Sequence, residues 1–138
     1  MKRFAIVSVL AFAFASFASA QTPPAQKAKF IPPVKGLATI EVIRMPPKHV
    51  GKDMVTKIKV RNTSKGSINL LKADEYWYDI KGKVVSGAPY AHTKAPILPG
   101  DVVEIELRSP YTPQMRQNQV LFSHANGKID AKAVKAFK

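Results

Sequence analysis

From residue 37 onward the apolar side chains recur at every second position, in short runs that turn-forming residues interrupt at intervals of 8 to 15 residues. A period of two is the signature of strands with one buried face, and it leaves no stretch where a long helix could be sustained. Residues 37–44 and 54–61 are two such runs, separated by Pro46-Pro47. A third, 67–80, ends in Asp79-Ile-Lys-Gly82, whose Asp and Gly suit the first and fourth positions of a type I turn and predict reversal into residues 83–85. Leu98-Pro-Gly-Asp101 places Pro and Gly at the centre of a type II turn. After it, residues 102–107 alternate Val103, Ile105 and Leu107 against Val102, Glu104 and Glu106. Residues 119–125 and 128–137 flank Asn126-Gly127, a hairpin signal. Residues 130–138 are rich in Ala and Lys and could form a helix, but the hairpin before them favours a strand. About seven short strands predict an all-β, antiparallel Greek-key sandwich.

The chain opens on a different pattern. Met1-Lys-Arg is a basic start, residues 4–17 form an apolar run, and Ala18-Ser-Ala20 is a small-x-small site before Gln21. Together they predict a cleaved signal peptide over residues 1–20. The run is shorter than the roughly 20 residues a membrane helix needs. Its Ala- and Phe-rich character is bacterial, implying a periplasmic or extracellular protein; with no Cys, there is no lipoprotein anchor. Residues 21–36 then read as an extended Pro-rich leader, and residues 37–138 as a single domain. Removing 20 of the 138 residues leaves 118, of which 48 are apolar, enough for a two-layer core.

Composition narrows function. The 22 Lys and Arg against 9 Asp and Glu give a net charge of +13, or +11 once Lys2 and Arg3 are removed, so acidic partners come into view. Zero Cys excludes disulfides, thiolate metal sites and thiol catalysis. No Gly-x-Ser-x-Gly elbow accompanies the serines. Glu104 and Glu106 share the polar side of their strand and read as a solvated face balancing nearby lysines rather than a glycosidase pair. An enzyme is not expected. Nucleic acid is not expected either, because stacking aromatics do not interleave with the cations.

Two constellations remain. Met45, His49 and Met54 have the ligand types of a periplasmic copper site, with His92, His124 and Met115 as further candidates, although a proline-bounded loop explains the first three more simply. In residues 54–61 one side reads Met54, Thr56, Ile58, Val60 and the other Val55, Lys57, Lys59, Arg61. Such a row of cations can contact an anionic polysaccharide or guard an exposed strand against aggregation. If Trp77 points inward as the largest core side chain, Tyr76 and Tyr78 point outward together, and with the Lys57, Lys59 and Arg61 row they are expected to form one contact surface, aromatic anchors beside cations that steer an acidic partner. Asn62-Thr-Ser64 meets the glycosylation sequon but reads as a side-chain-capped turn.

The order of Asn62-Thr-Ser64, Tyr76-Trp-Tyr-Asp79, Gly82 and Pro99-Gly100 resembles the FxLYD-type immunoglobulin-like domains of bacterial secreted and envelope proteins, over about residues 37–109. Glu75 and Trp77 replace the pattern's Phe and Leu. The resemblance implies an immunoglobulin-like β-sandwich serving as an adhesion, assembly or accessory module and offers no catalytic residues to carry over; neither a cofactor nor a bound metal is expected. The expected partner is an envelope or secreted protein, an assembly subunit or an anionic surface polymer. Intact-mass measurement of the exported product is expected to give a chain beginning at Gln21; a product retaining residues 4–17 overturns cleavage.

Overall fold

The computed structural model describes residues 30–138, so the expected signal, its cleavage site and most of the leader lie outside the described residues. Eight strands and no helix make up the described part. They are β1 (Ala38–Arg44), β2 (Lys48–Val50), β3 (Asp53–Asn62), β4 (Lys72–Tyr78), β5 (Val84–Ala91), β6 (Val102–Pro110), β7 (Gln117–His124) and β8 (Gly127–Ala133).

Strand β3 organises one half. Strand β6 pairs with it continuously from Asp53 to Arg61, so β1, which pairs Ile58 to Asn62, and β2, which pairs Asp53 to Val55, must share the opposite edge. Pro46-Pro47 therefore does not separate two independent runs. It interrupts one edge, which resumes as β2 and turns at Gly51-Lys52 into β3. Beyond β1 the order runs β8, β7, β4, β5. Every pair is antiparallel except β1–β8, which runs parallel from Ala38↔Ile129 to Val42↔Ala133. The sheet is thus mixed rather than antiparallel, because the β7–β8 hairpin pairs only at Ser123↔Lys128 and His124↔Gly127 before β8 crosses to β1. The whole curls into a half-barrel, and its two end strands meet where Ser86 Oγ donates to the Pro110 carbonyl at 2.6 Å.

The inward face carries the alternation expected. Ala38, Ile40 and Val42 of β1, Ile58 and Val60 of β3, and Ile105 and Leu107 of β6 pack with Ile68, Leu71, Ala73 and Ile97. Each large aliphatic side chain so buried contributes roughly 1.5–3 kcal/mol. Trp77 is inward too, 6% exposed.

The turns agree with their sequence in chemistry and differ once in position. Asp79 caps its turn by accepting from the Lys81 and Lys83 amides, with Gly82 at φ 80°. Asp101 N–H bonds the Leu98 carbonyl around Gly100 at φ 84°. The last hairpin, however, turns through Ala125-Asn126, with Gly127 already in β8 opposite His124. Gly127 is needed for closeness: a Cβ there would lie 2.5 Å from the Gly36 carbonyl oxygen. The run at 67–80 is also broken. Leu70 takes φ 50°, a left-handed conformation that ends one bridge at Ile68 and lets β4 begin at Lys72. Part of the leader packs, since Pro33 bridges Ser67 and Val34 N–H bonds the Ser67 carbonyl. Residues 130–133 are strand, as expected, though β8 stops at Ala133.

A polar knot ties the curl. Glu75 is 1% exposed, and its Oε1 accepts from Trp77 Nε1 at 2.9 Å and Ser109 Oγ at 2.7 Å, while Oε2 accepts from Asn118 Nδ2 at 3.0 Å. Removing a donor from a buried acceptor costs about 1–3 kcal/mol. Urea denaturation is expected to show a loss of about 1–3 kcal/mol for Ser109→Ala and about 3–5 kcal/mol for Trp77→Ala. A Ser109→Ala variant within about 0.3 kcal/mol of the parent means the carboxylate does not hold β6.

Candidate functional site

The tyrosine pair sits where β4 exposes its outward side chains. Tyr76 and Tyr78 are half-buried there, on the face opposite Trp77. Register places Gln119 and Gly87 beside Tyr76, and Gln117 and Val84 beside Tyr78. The Tyr78 hydroxyl donates to Gln119 Oε1 at 3.3 Å, which fixes the ring's direction along the sheet. Leu121, 49% exposed, and Pro89 flank Asp74 one step along the same face. Gly87 is required because a Cβ would meet the Glu75 carbonyl oxygen at 2.6 Å. The missing side chain leaves a shallow depression of about 200 Å³ bordered by Tyr76 and Pro89. From Asp74 to Tyr78, and across to residues 84–89 and 117–121, the surface carries no cation.

The cation row lies elsewhere. Lys57, Lys59 and Arg61 share the outward face of β3, as alternation predicts. Between β3 and β4 the hydrogen-bonded order inserts β1, β8 and β7, so the tyrosines and the cations occupy separate stretches of the sheet rather than one contact surface. The row is also answered by acids. Glu106 stands directly opposite Lys57 and Glu104 opposite Lys59. Arg61 Nη2 contacts Glu41 Oε2 at 2.6 Å, its Nη1 donates to the Lys138 carbonyl at 2.5 Å, and its guanidinium lies 5.2 Å from the centre of the Phe137 ring. Arg61 is therefore committed to the chain's own C-terminal segment. Each cation of the row thus has an acid opposite it in register, Glu106, Glu104 and Glu41, while Lys48 and Arg108 add further positive charge at the Lys57 end.

The Met and His residues are distributed in the same way. His49 and Met54 are cross-strand partners on the inward-facing parity, where the His49 ring stacks on Tyr111 with centroids 3.8 Å apart. Met45 lines a cavity with Lys48, Val55 and Lys57 on the outward side. Strand alternation thus divides the proposed trio between two faces. His124 is buried, with Nε2 2.7 Å from the Gly36 carbonyl oxygen and Nδ1 3.4 Å from the Asn126 amide, so both ring nitrogens have backbone partners. His92 Nδ1 lies 3.4 Å from the Tyr90 hydroxyl, and Met115 is a core side chain. Among the described residues no group of three or more His, Asp or Glu could hold a metal ion. Asn62 forms the capped turn: its Oδ1 accepts from the Ser64 amide at 2.8 Å while the buried Nδ2 donates to the Gly66 and Ile97 carbonyls.

Sequence reasoning missed Glu75 as a structural centre. The available signal was parity, since a residue two before an inward Trp faces inward as well. No protein family, curated protein or solved structure was found to match the chain. A double-mutant cycle on Lys57→Ala and Glu106→Ala is expected to give a coupling of about 0.2–1 kcal/mol that shrinks with added salt. Zero coupling at low salt means that the facing acid does not balance the cation.

Proposed function

We propose that this chain is a non-enzymatic, exported binding or assembly module of the immunoglobulin-like β-sandwich type, and that its partner is a protein seated on the outward face of β4, β5 and β7. In this reading β6, β3 and β1 form one layer and β8, β7, β4 and β5 the other, with β1–β8 linking them. The sequence resemblance to FxLYD-type domains and the inward Trp77 support it. The localisation, periplasmic or extracellular, rests on the basic-apolar-small pattern of residues 1–20.

One observation carries the choice of partner. In a chain of net charge +13, the register partners of Tyr76 and Tyr78 on β5 and β7 include no cation, Lys83 and Arg116 standing just beyond the strand ends, and the face offers aromatic, Val, Leu and Pro area with amide-bearing neighbours. Depletion of charge with aromatic enrichment is the composition of a protein interface core. An anionic polymer needs the opposite, a surface of uncompensated cations, and the Lys57, Lys59 and Arg61 row is matched by acids.

The test uses the mature chain immobilised against envelope and culture-supernatant proteins, with the retained protein identified and its affinity then measured in purified form. Tyr76→Ser with Tyr78→Ser is expected to keep the thermal midpoint within a few degrees, roughly what a loss of 1 kcal/mol produces, and to weaken binding at least about tenfold. Retention that dissolves in salt and disappears only with Lys57→Glu and Lys59→Glu assigns the partner to the cation row and overturns this surface.

A further inference from the structure

The outward face of β3 contains a second feature that the cation row does not account for. Val55 points outward, yet it is only 6% exposed. It stands between Lys48 of β2 and Arg108 of β6 in register, at the base of a cavity of about 490 Å³ over β2, β3 and β6. Met45, Pro46, Val50 and Val55 supply its apolar surface. Val50 remains 50% exposed, so this small apolar site is unfilled by the chain's own side chains.

Its charge is asymmetric. Lys48, Lys57 and Arg108 line the cavity together with a single acid, Glu106. That acid is engaged: Glu106 Oε1 lies 2.8 Å from Arg108 Nε, and Asp53 approaches the same guanidinium at 3.6 Å. Among the described residues no carboxylate lies within 4.0 Å of the Lys48 or Lys57 ammonium. Register explains the placement, because Lys48 faces Val55 across the β2–β3 pair and Lys57 follows Val55 on the same side. Two ammonium groups with six donors between them therefore overhang an apolar floor.

We propose that this cavity is a binding site for an anionic amphiphile, a carboxylate or phosphate head on a short alkyl chain. The alkyl chain lies on Val55 and covers Met45, Pro46 and Val50, removing apolar surface from water on both sides. The head lies between Lys48 and Lys57, whose exposed ammonium groups both donate to it. The volume suits a ligand of modest size and falls within the range of small-molecule sites. A purely apolar ligand leaves the lysines unanswered, and a simple inorganic anion leaves the floor wet. The pairing of both chemistries in one cavity is what selects the class. The site is independent of the tyrosine face, since it lies on β2, β3 and β6.

The three methionines of the mature chain make the test direct, because Met45 lines the cavity while Met54 lies on the opposite face and Met115 is in the core. With ¹³C-methyl methionine in the mature protein, titration with decanoate or with decyl phosphate below micelle formation is expected to shift the Met45 methyl resonance saturably and leave Met54 and Met115 in place. The stronger of the two ligands distinguishes a carboxylate from a phosphate source. Decanol and acetate at the same concentrations are expected to give no saturable shift. Lys48→Gln with Lys57→Gln is expected to weaken decanoate or decyl phosphate about tenfold or more, whereas Ile80→Ser in the β4–β5 turn leaves it unchanged. A Met45 shift as large with decanol, no saturable shift with either anion, a shift centred on Met54 or Met115, or full affinity in the double lysine variant each overturns the proposal.

Discussion

A carboxylate removed from water must be given donors, and Glu75 takes them from three strands. Trp77 of its own strand, Ser109 of β6 and Asn118 of β7 all reach it, and the residue is almost wholly inaccessible. The consequence is geometric. Strands β4 and β6 lie far apart in hydrogen-bonded order, so a Glu75–Ser109 contact of 2.7 Å exists only if the sheet curls until its ends approach. The Ser86–Pro110 bond marks the same closure nearby. An apolar residue at position 75 would pack without demanding any particular partner. A carboxylate there penalises every arrangement in which its donors are missing, by an amount comparable to a sizeable fraction of a small domain's stability. The aliphatic core drives collapse, and Glu75 selects which collapsed arrangement is satisfied.

Much of this architecture is legible along the chain because it is local. Alternation gives the inward faces of β1, β3 and β6 residue by residue. Asp79 and Asp101 announce their turns because their carboxylates bond amides two to four residues away. What was not legible is what depends on distant chain segments. The parallel β1–β8 pairing joins residues about ninety apart in sequence and leaves no local mark. Strand β2 was hidden because Pro46-Pro47 signals interruption without saying that the chain rejoins the same edge. The turn at Ala125-Asn126 is displaced from Asn126-Gly127 because Gly127 answers the approach of Gly36 instead of supplying the turn. The candidate site divides along the same line. That Tyr76 and Tyr78 share a face follows from period two; that three strands separate them from the cation row in hydrogen-bonded order, and that the row lies opposite Glu104 and Glu106, follows from pairing alone.

The distribution of charge then acquires meaning that the net value conceals. A total of +13 invites the reading of a polyanion binder. Yet the regular rows of cations on β3 meet acids on β1 and β6, and Arg61 is further occupied by Phe137 and Lys138. Cross-strand pairing of this kind stabilises the sheet modestly and fixes register, since a one-residue slip would bring Lys against Ile or Leu. Cations matter for recognition where they outnumber the acids beside them, and the Pro46 corner is such a place, with Lys48, Lys57 and Arg108 around the single carboxylate of Glu106.

Both candidate surfaces arise at departures from the ideal strand. Gly87 leaves no side chain opposite Tyr76, and Pro46-Pro47 interrupts the β3 edge beside an outward-facing Val55. The end strands show the complementary logic. Strand β6 exposes Glu104, Glu106 and Arg108, charges that discourage a second sheet from pairing with it. Strand β5 contains no charged residue at all. It is protected by other means: Pro89 withholds a donor, and Ser86 binds it to the end of β6. Because that protection comes from contact with β6, and the carboxylate of Glu75 holds β6 through Ser109, the same buried group that shapes the interior also guards the strand next to the tyrosine face. Loosening the knot therefore exposes an uncharged edge beside an aromatic surface, which ties the integrity of the proposed contact face to the curl.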